Sequence, residues 1–335
     1  MTTCGAAVAF GAMCERLWFP TFSGCEKVEP HGDHPRKCNH IVLTWIREMK
    51  NIPIVTFDTS AHNRLAPKDG PLAESVLAKI KSEMFIRFAG ISIDELYATT
   101  DSARRATLLG ACRRLQQGEG DCIYPQDQVL KLLIEAHVKD PGHFDWTAVE
   151  VVSGEYMHEI SAGEWINDED LITEHRNNLR ARLKGFECIF KSLPLGLQHA
   201  FESNGEAPPT TYREFLGFLK SDKKLMGGIC KGIYDRVAGT DVSKDVFLEF
   251  LDVCPPFRAF NYAIDMSHYD RLVRNEDGER FKSGCNDLLM AIYLPYCNRF
   301  VTADRMQEKC LREIASVSGL GTEVVFYDDF YDSIN

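Results

Sequence analysis

The sequence has no long hydrophobic run, no cysteine framework and fewer basic than acidic residues. It lacks the ~18–20 uninterrupted apolar residues that a membrane-spanning helix requires. Its longest early apolar run, Ala6 to Met13, is broken by glycine and follows no basic residue, so we expect no signal peptide. The 12 cysteines show no regular spacing, which favours reduced thiols in a cytoplasmic protein over a disulfide scaffold.

Two phosphate-binding patterns are also missing. Neither G-x-G-x-x-G nor G-x-x-x-x-G-K-[ST] opens a predicted helix, which argues against dinucleotide and P-loop sites. Lysine and arginine number 38 against 49 acidic residues, and the net charge is −11. We do not expect such a chain to bind nucleic acid nonspecifically over its surface, because phosphate contacts need basic side chains. A nuclease stays compatible with this charge, since its own active site is a cluster of carboxylates.

The 335 residues allow two domains, or one domain with a large insertion. Residues 1–48 show little periodicity and are rich in cysteine and histidine. We interpret them as an atypical N-terminal extension, which is not native if translation begins at Met49. The alternative is a zinc site, although the paired C-x-x-C of zinc fingers and ribbons is missing. Its ligands would be His31, His34, Cys38 and His40.

From Ile52 onward, strand and helix patterns alternate, which predicts an α/β fold with a parallel sheet. We expect strands at 52–57, 85–92, 299–303 and 323–327, and helices at 71–83, 94–117, 126–138, 287–296 and 304–317. Residues 140–280 interrupt this alternation with mainly helical amphipathic patterns and carry most of the net negative charge. The prediction is a core of residues 52–138 and 281–330, interrupted by a helical insertion at 140–280.

Acidic residues follow the predicted strands. Asp58 follows the first strand, Asp94 and Glu95 follow the second, and Asp304 follows the third; Asp287 begins the helix that leads into the third. Parallel strands end at one edge of their sheet, so we expect these acids to lie together. Crowded carboxylates repel one another unless protons or cations neutralise them. All-oxygen ligands select Mg²⁺ or Mn²⁺, which can promote hydrolysis of a phosphodiester by water.

Four segments, in this order along the chain, resemble the motifs of the PIN domain, a family of metal-dependent nucleases that includes the VapC-type toxins. They are Phe57-Asp58-Thr59-Ser60, Ile91–Leu96, Asn286–Ala291 and Phe300–Arg305. The resemblance covers residues 52–138 and 281–330, and it implies a three-layer α/β/α core with a parallel sheet. Compact PIN domains lack a counterpart of the insertion.

The resemblance implies that Asp58, Glu95, Asp287 and Asp304 are both the catalytic residues and the metal ligands. Ser60 and Thr302 match the hydroxyl positions that support the metal shell. Asp94 is the alternative to Glu95, because neighbouring residues on a helix point about 100° apart and only one should face the site.

Taken together, these features predict a Mg²⁺- or Mn²⁺-dependent endonuclease of cytoplasmic, toxin-like type, with RNA favoured over DNA as substrate. A locally basic helix at Arg176, Arg180 and Arg182 is a candidate for contacts with substrate phosphates. Further candidate partners are a protein inhibitor and a second copy of the chain, and we expect no membrane association. The alternative is a PIN-like scaffold that does not cleave and binds partners through its acidic insertion.

Overall fold

The structure is a computed structural model that describes part of the chain. The described residues are 52–66, 74–118, 121–152, 209–221, 227–272 and 287–334, together with residues 169–170, 172–173, 175–177, 179–181 and 184. The predicted extension at 1–48, with its alternative zinc site, and Arg182 lie outside them. None of the described helices is long and apolar enough to cross a membrane.

The elements of the described chain alternate between strands and helices at both ends and are helical between. In chain order they are β1 (Ile54–Phe57), α1 (Thr59–Leu65), α2 (Glu74–Glu83), β2 (Phe85–Ile86), β3 (Phe88–Ala89), α3 (Gly90–Tyr97), α4 (Ser102–Leu115), β4 (Cys122–Ile123), α5 (Gln126–Lys139), α6 (Tyr212–Ser221), α7 (Gly228–Ala238), α8 (Lys244–Val253), α9 (Pro255–Leu272), β5 (Arg299–Thr302), α10 (Arg305–Val317), β6 (Glu323–Phe326) and α11 (Tyr327–Ile334). Short 3₁₀ helices lie at Pro141–His143, Trp146–Ala148 and Met290–Tyr296.

The central sheet is parallel, as the sequence predicts, and its strand order is β2-β1-β5-β6. Strands β3 and β4 form a second parallel pair. In the register of the central sheet, Phe57 lies opposite Val301, and the Asp58 amide donates to the Val301 carbonyl at 3.0 Å. This pairing brings the carboxyl ends of β1 and β5 side by side, although the two strands are far apart in sequence.

Two hydrophobic clusters cover opposite faces of the sheet. Successive strand residues point to opposite faces, so Phe300 packs into one cluster and Val301 into the other. The cluster around Val301 also takes the apolar faces of α1, α2, α4 and α11. The cluster around Phe300 takes those of α5 and α10. The central strands β1 and β5 are therefore buried by apolar side chains among the described residues.

The cluster around Phe300 continues into the predicted insertion. Helices α6, α7, α8 and α9 all contribute buried side chains to it. In α9, Phe257 is fully buried, and its ring lies 4.9 Å from that of Phe250 in α8. The predicted boundary at residue 140 is thus not a boundary of packing among the described residues, because one apolar core runs across it.

The strand predicted at 85–92 is wrong over its second half. Pairing ends at Ala89, and helix α3 begins at Gly90. Ile91, Ile93 and the residues between and beside them are buried, so no exposed face distinguishes a helix from a strand in this run. Gly90 permits the close approach of the chain at Pro125, because a Cβ on residue 90 would stand 2.6 Å from the Pro125 backbone nitrogen.

Three other boundaries also differ from the sequence prediction. The single helix expected at 94–117 is two helices, because Asp101 caps a new helix by accepting from the Arg104 amide at 3.0 Å. The helix expected at 287–296 becomes a 3₁₀ helix from Met290, with Pro295 inside it. The final helix, α11, was not predicted; it begins directly after β6.

The shared core predicts that a cavity in the insertion weakens the sheet. Phe257→Ala should lower the free energy of unfolding by about 3–5 kcal/mol, the usual cost of deleting a buried phenyl ring. Native-state hydrogen exchange of the β1 and β5 amides measures this at the sheet itself. Val253→Ala, at a side chain that is 44% exposed, is the control and should change stability by less than about 0.5 kcal/mol. Unchanged exchange in β1 and β5 would mean that the insertion folds independently.

Candidate functional site

The four acids singled out in the sequence surround one pocket at the carboxyl edge of the sheet. Asp58, Glu95, Asp287 and Asp304 all line a cavity of about 230 Å³. They come from four different places in the fold: the ends of β1 and β5, helix α3, and the segment before the 3₁₀ helix at Met290. The other lining residues are Thr59, Ser60, Asn63, Ile91, Met290 and Gln307.

Asp58 is the most firmly held of the four. It is the N-cap of α1, and its carboxylate accepts from the Ala61 amide at 2.7 Å. Ser60 Oγ donates to the same carboxylate at 2.8 Å, and Thr302 Oγ1 donates to it at 2.9 Å. The structure thus places Ser60 and Thr302, the two predicted supporting hydroxyls, directly on Asp58.

Asp304 is also a helix N-cap. Its Oδ1 accepts from the amides of Met306 and Gln307 at 2.7 and 2.9 Å. The Gln307 side chain then turns into the site, where Nε2 donates to the Asp287 carbonyl at 3.1 Å and Oε1 contacts Thr302 Oγ1. One glutamine therefore connects the ends of β5 and α10 to the segment that carries Asp287.

Helix α3 separates the two neighbouring acids that the sequence left as alternatives. Glu95 lines the pocket, and its Oε2 accepts from Thr59 Oγ1. Asp94 is 2% exposed and pairs with His175, whose Nδ1 lies 3.1 Å from Asp94 Oδ1. The two carboxylates leave the helix in different directions, and Glu95 is the one that faces the pocket.

Burial and mutual repulsion perturb three of the acids. Burial raises the pKa of Asp58 to about 6, although its hydrogen bonds from Ala61, Ser60 and Thr302 oppose the rise. Burial raises the pKa of Glu95 to about 7, and the charges of Asp58 and Asp94 add to the effect. Burial also raises the pKa of Asp287 to about 7, reinforced by the charges of Glu95, Asp58 and Asp304. The pocket therefore holds uncompensated negative charge, which a cation would relieve.

The donor set fits a hard divalent cation, because it consists of carboxylate oxygens with hydroxyl groups behind them. As they stand, no three acidic, histidine or cysteine side chains in the described residues are close enough to enclose a metal ion. Mg²⁺ does not need such a cage, since it keeps several of its waters and binds through one or two carboxylates. Asp58, Glu95, Asp287 and Asp304 are the residues that could hold it.

The basic segment that was predicted to contact substrate phosphates contributes no described residue to the lining of the acidic pocket. Arg176 Nε donates to the Ala98 carbonyl and its Nη2 to the Thr99 carbonyl, each at 3.2 Å. These bonds occupy much of the Arg176 guanidinium, so a phosphate contact there stays a prediction. Arg180 is exposed, and Arg182 lies outside the described residues.

Thr59 and Gln307 are site residues that the sequence reasoning missed. Gln307 stands three residues after the N-cap Asp304, a position that predicts a capping box but not the contacts that Gln307 makes with Asp287 and Thr302. Thr59 had no comparable signal, because its contact with Glu95 depends on how α1 and α3 pack. No family model, curated protein or solved structure matches this chain, so the site rests on its geometry.

The charge in the pocket predicts a pH-dependent effect of removing one acid. Burial raises the pKa of Asp287 to about 7 in the folded protein, so the folded state holds this proton more tightly than the unfolded state. The contribution of this group to the free energy of unfolding is therefore fully present below about pH 4 and is lost as the pH rises through about 7. Asp287→Asn should therefore stabilise the metal-free protein at pH 8 by on the order of 1 kcal/mol or more, because one pKa unit corresponds to about 1.4 kcal/mol. The gain should disappear near pH 4.

Thermal unfolding in EDTA across this pH range measures the effect. Asp101→Asn, at the exposed cap of α4, is the matched control for the same substitution away from the pocket. A destabilised Asp287→Asn protein at pH 8 would show that the Asp287 carboxylate is not under electrostatic strain.

Proposed function

We propose that this protein is a metal-dependent nuclease of PIN type that hydrolyses phosphodiester bonds, with RNA as the favoured substrate. The observation that carries the proposal is the convergence of four carboxylates, from four separate elements, on one pocket. The parallel sheet with hydrophobic clusters on both faces supports the PIN-like α/β/α core that the resemblance implies. Mg²⁺ or Mn²⁺ is the proposed cofactor.

In this proposal carboxylates from among Asp58, Glu95, Asp287 and Asp304 would hold the cation in the pocket that all four line. A divalent ion held there would lower the pKa of water and stabilise the added charge of a phosphodiester transition state. Ser60 and Thr302 fix the Asp58 carboxylate, so that little reorganisation is needed when charge develops. Thr59 does the same for Glu95.

Two exposed arginines near the pocket support a polyanionic substrate. Arg64 and Arg305 directly follow Asn63 and Asp304, which line the pocket, and their side chains are 54% and 60% exposed. Arg64 pairs with Asp328, and Arg305 pairs with Glu308 and Asp329, so a substrate phosphate would have to compete with these carboxylates. The Arg305 guanidinium carbon lies 3.4 Å from the centre of the Phe326 ring, and Phe326 is the register partner of Thr302. These arginines are proposed to contact substrate phosphates, because the acids alone would repel nucleic acid.

The test is cleavage of labelled single-stranded RNA and DNA, side by side, in Mn²⁺, in Mg²⁺ and in EDTA. Asp58→Asn and Asp304→Asn are informative because asparagine is as good an N-cap as aspartate, so each variant removes charge and keeps the cap. Each variant should retain the fold and cleave at least ~100-fold more slowly. Loss of an outer-shell partner at a metal site costs up to ~100-fold, and loss of a proposed ligand should cost at least as much. Asp101→Asn makes the same change at a distant cap and should cleave like the wild type.

Three results are distinguishable. Metal-dependent cleavage that disappears in Asp58→Asn and Asp304→Asn, but not in Asp101→Asn, supports the nuclease, and the two substrate arms identify RNA or DNA. Equal activity in all variants would overturn the assignment of the site. A folded protein that neither cleaves nor binds Mn²⁺ by calorimetry would favour the alternative, a scaffold that acts through its acidic insertion.

A further inference from the structure

The helix that carries Glu95 is held at its C-terminal end by residues of the insertion. Helix α3 ends at Tyr97, and the carbonyls that follow have no partner within the helix. Arg176 donates to two of them, Ala98 and Thr99. A guanidinium at this end is also favourable for the helix dipole. The last turn of α3 is closed by its own backbone, because the Ala98 amide donates to the Asp94 carbonyl and the Thr99 amide to the Leu96 carbonyl. Arg176 of the insertion adds contacts to the two carbonyls that follow.

A second contact acts on the side of the same helix. His175 Nδ1 lies 3.1 Å from Asp94 Oδ1, and the His175 ring stacks on Tyr97 with centroids 5.0 Å apart and planes at 12°. Asp94 and Glu95 are neighbours, so they leave the helix about 100° apart. Holding Asp94 against His175 thus fixes the rotation of α3 about its axis, and that rotation directs Glu95 into the pocket.

A third contact joins this arrangement to α4. Arg105 is buried, with 1% of its side chain exposed, and its Nη1 donates to the Thr99 carbonyl at 2.8 Å. Its Nη2 contacts Glu169 of the insertion at 3.2 Å. Two arginines, one from α4 and one from the insertion, therefore meet at the Thr99 carbonyl. The connection between α3 and α4 is fixed by polar contacts from both sides.

We propose that His175 and Arg176 are positioning residues for Glu95, through which the insertion sets the geometry of the acidic pocket. The proposal rests on the proposed nuclease function. It gives the insertion a part in the chemistry that differs from both a substrate-binding helix and an acidic docking surface. Neither residue lines the pocket, so each acts through α3.

The first variants are Arg176→Ala and His175→Phe, the latter keeping an aromatic ring beside Tyr97 while removing the bond to Asp94. Each should lower Mn²⁺ affinity, measured by calorimetry, and kcat by ~10-fold or more, with KM little changed. Arg176→Lys keeps the charge and one donor and should recover part of the loss. Arg113→Ala, at an exposed arginine of α4, is the matched control and should behave like the wild type.

A double-mutant cycle with Glu95→Gln separates positioning from general stability. If Arg176 acts through Glu95, Arg176→Ala should have almost no further effect on Mn²⁺ affinity in the Glu95→Gln background. Additive losses, or an Arg176→Ala protein that binds Mn²⁺ and cleaves like the wild type, would overturn this inference alone. A wild-type protein that neither binds Mn²⁺ nor cleaves would overturn the proposed function, and this inference with it.

Discussion

The parallel pairing of β1 with β5 is the constraint on which the site depends. It places Asp58, at the end of β1, next to Thr302, at the end of β5, across a separation of 244 residues. Once these ends are adjacent, Ser60 can donate to Asp58 and also accept from the Ala303 amide at 2.8 Å. The acidic pocket is therefore built at the end of two buried, paired strands, which hold its carboxylates together against their mutual repulsion.

The insertion is coupled to the pocket in two ways. Its helices α6 to α9 share the apolar core that covers one face of the sheet. Its residues His175 and Arg176 contact the helix that carries Glu95. A segment that lay on the surface without packing into the core would show neither feature. The described part of the insertion is therefore packed together with the elements that carry the pocket.

Much of the fold and of the site could be predicted from local patterns. Short apolar runs before Asp58 and Asp304 predict strands, and because each acid directly follows its run, it is placed at the carboxyl end of that strand. The same reasoning was wrong for the second half of the run from Phe85 to Ser92. A run that is buried on all sides shows neither the hydrophobic period of a helix nor that of a strand. The roles of Thr59 and Gln307 were missed because they depend on contacts between elements that are distant in sequence.

The sequence by itself determined that Asp58 and Asp304 directly follow short apolar strands, because strand formation depends on neighbouring residues. It also determined the alternation that makes an α/β fold. Only the tertiary structure decided that Glu95, and not Asp94, faces the pocket, and that Arg176 holds the end of α3. Those outcomes depend on the rotation of a helix and on the approach of a distant segment. Both follow from packing across the whole chain, which no local pattern encodes.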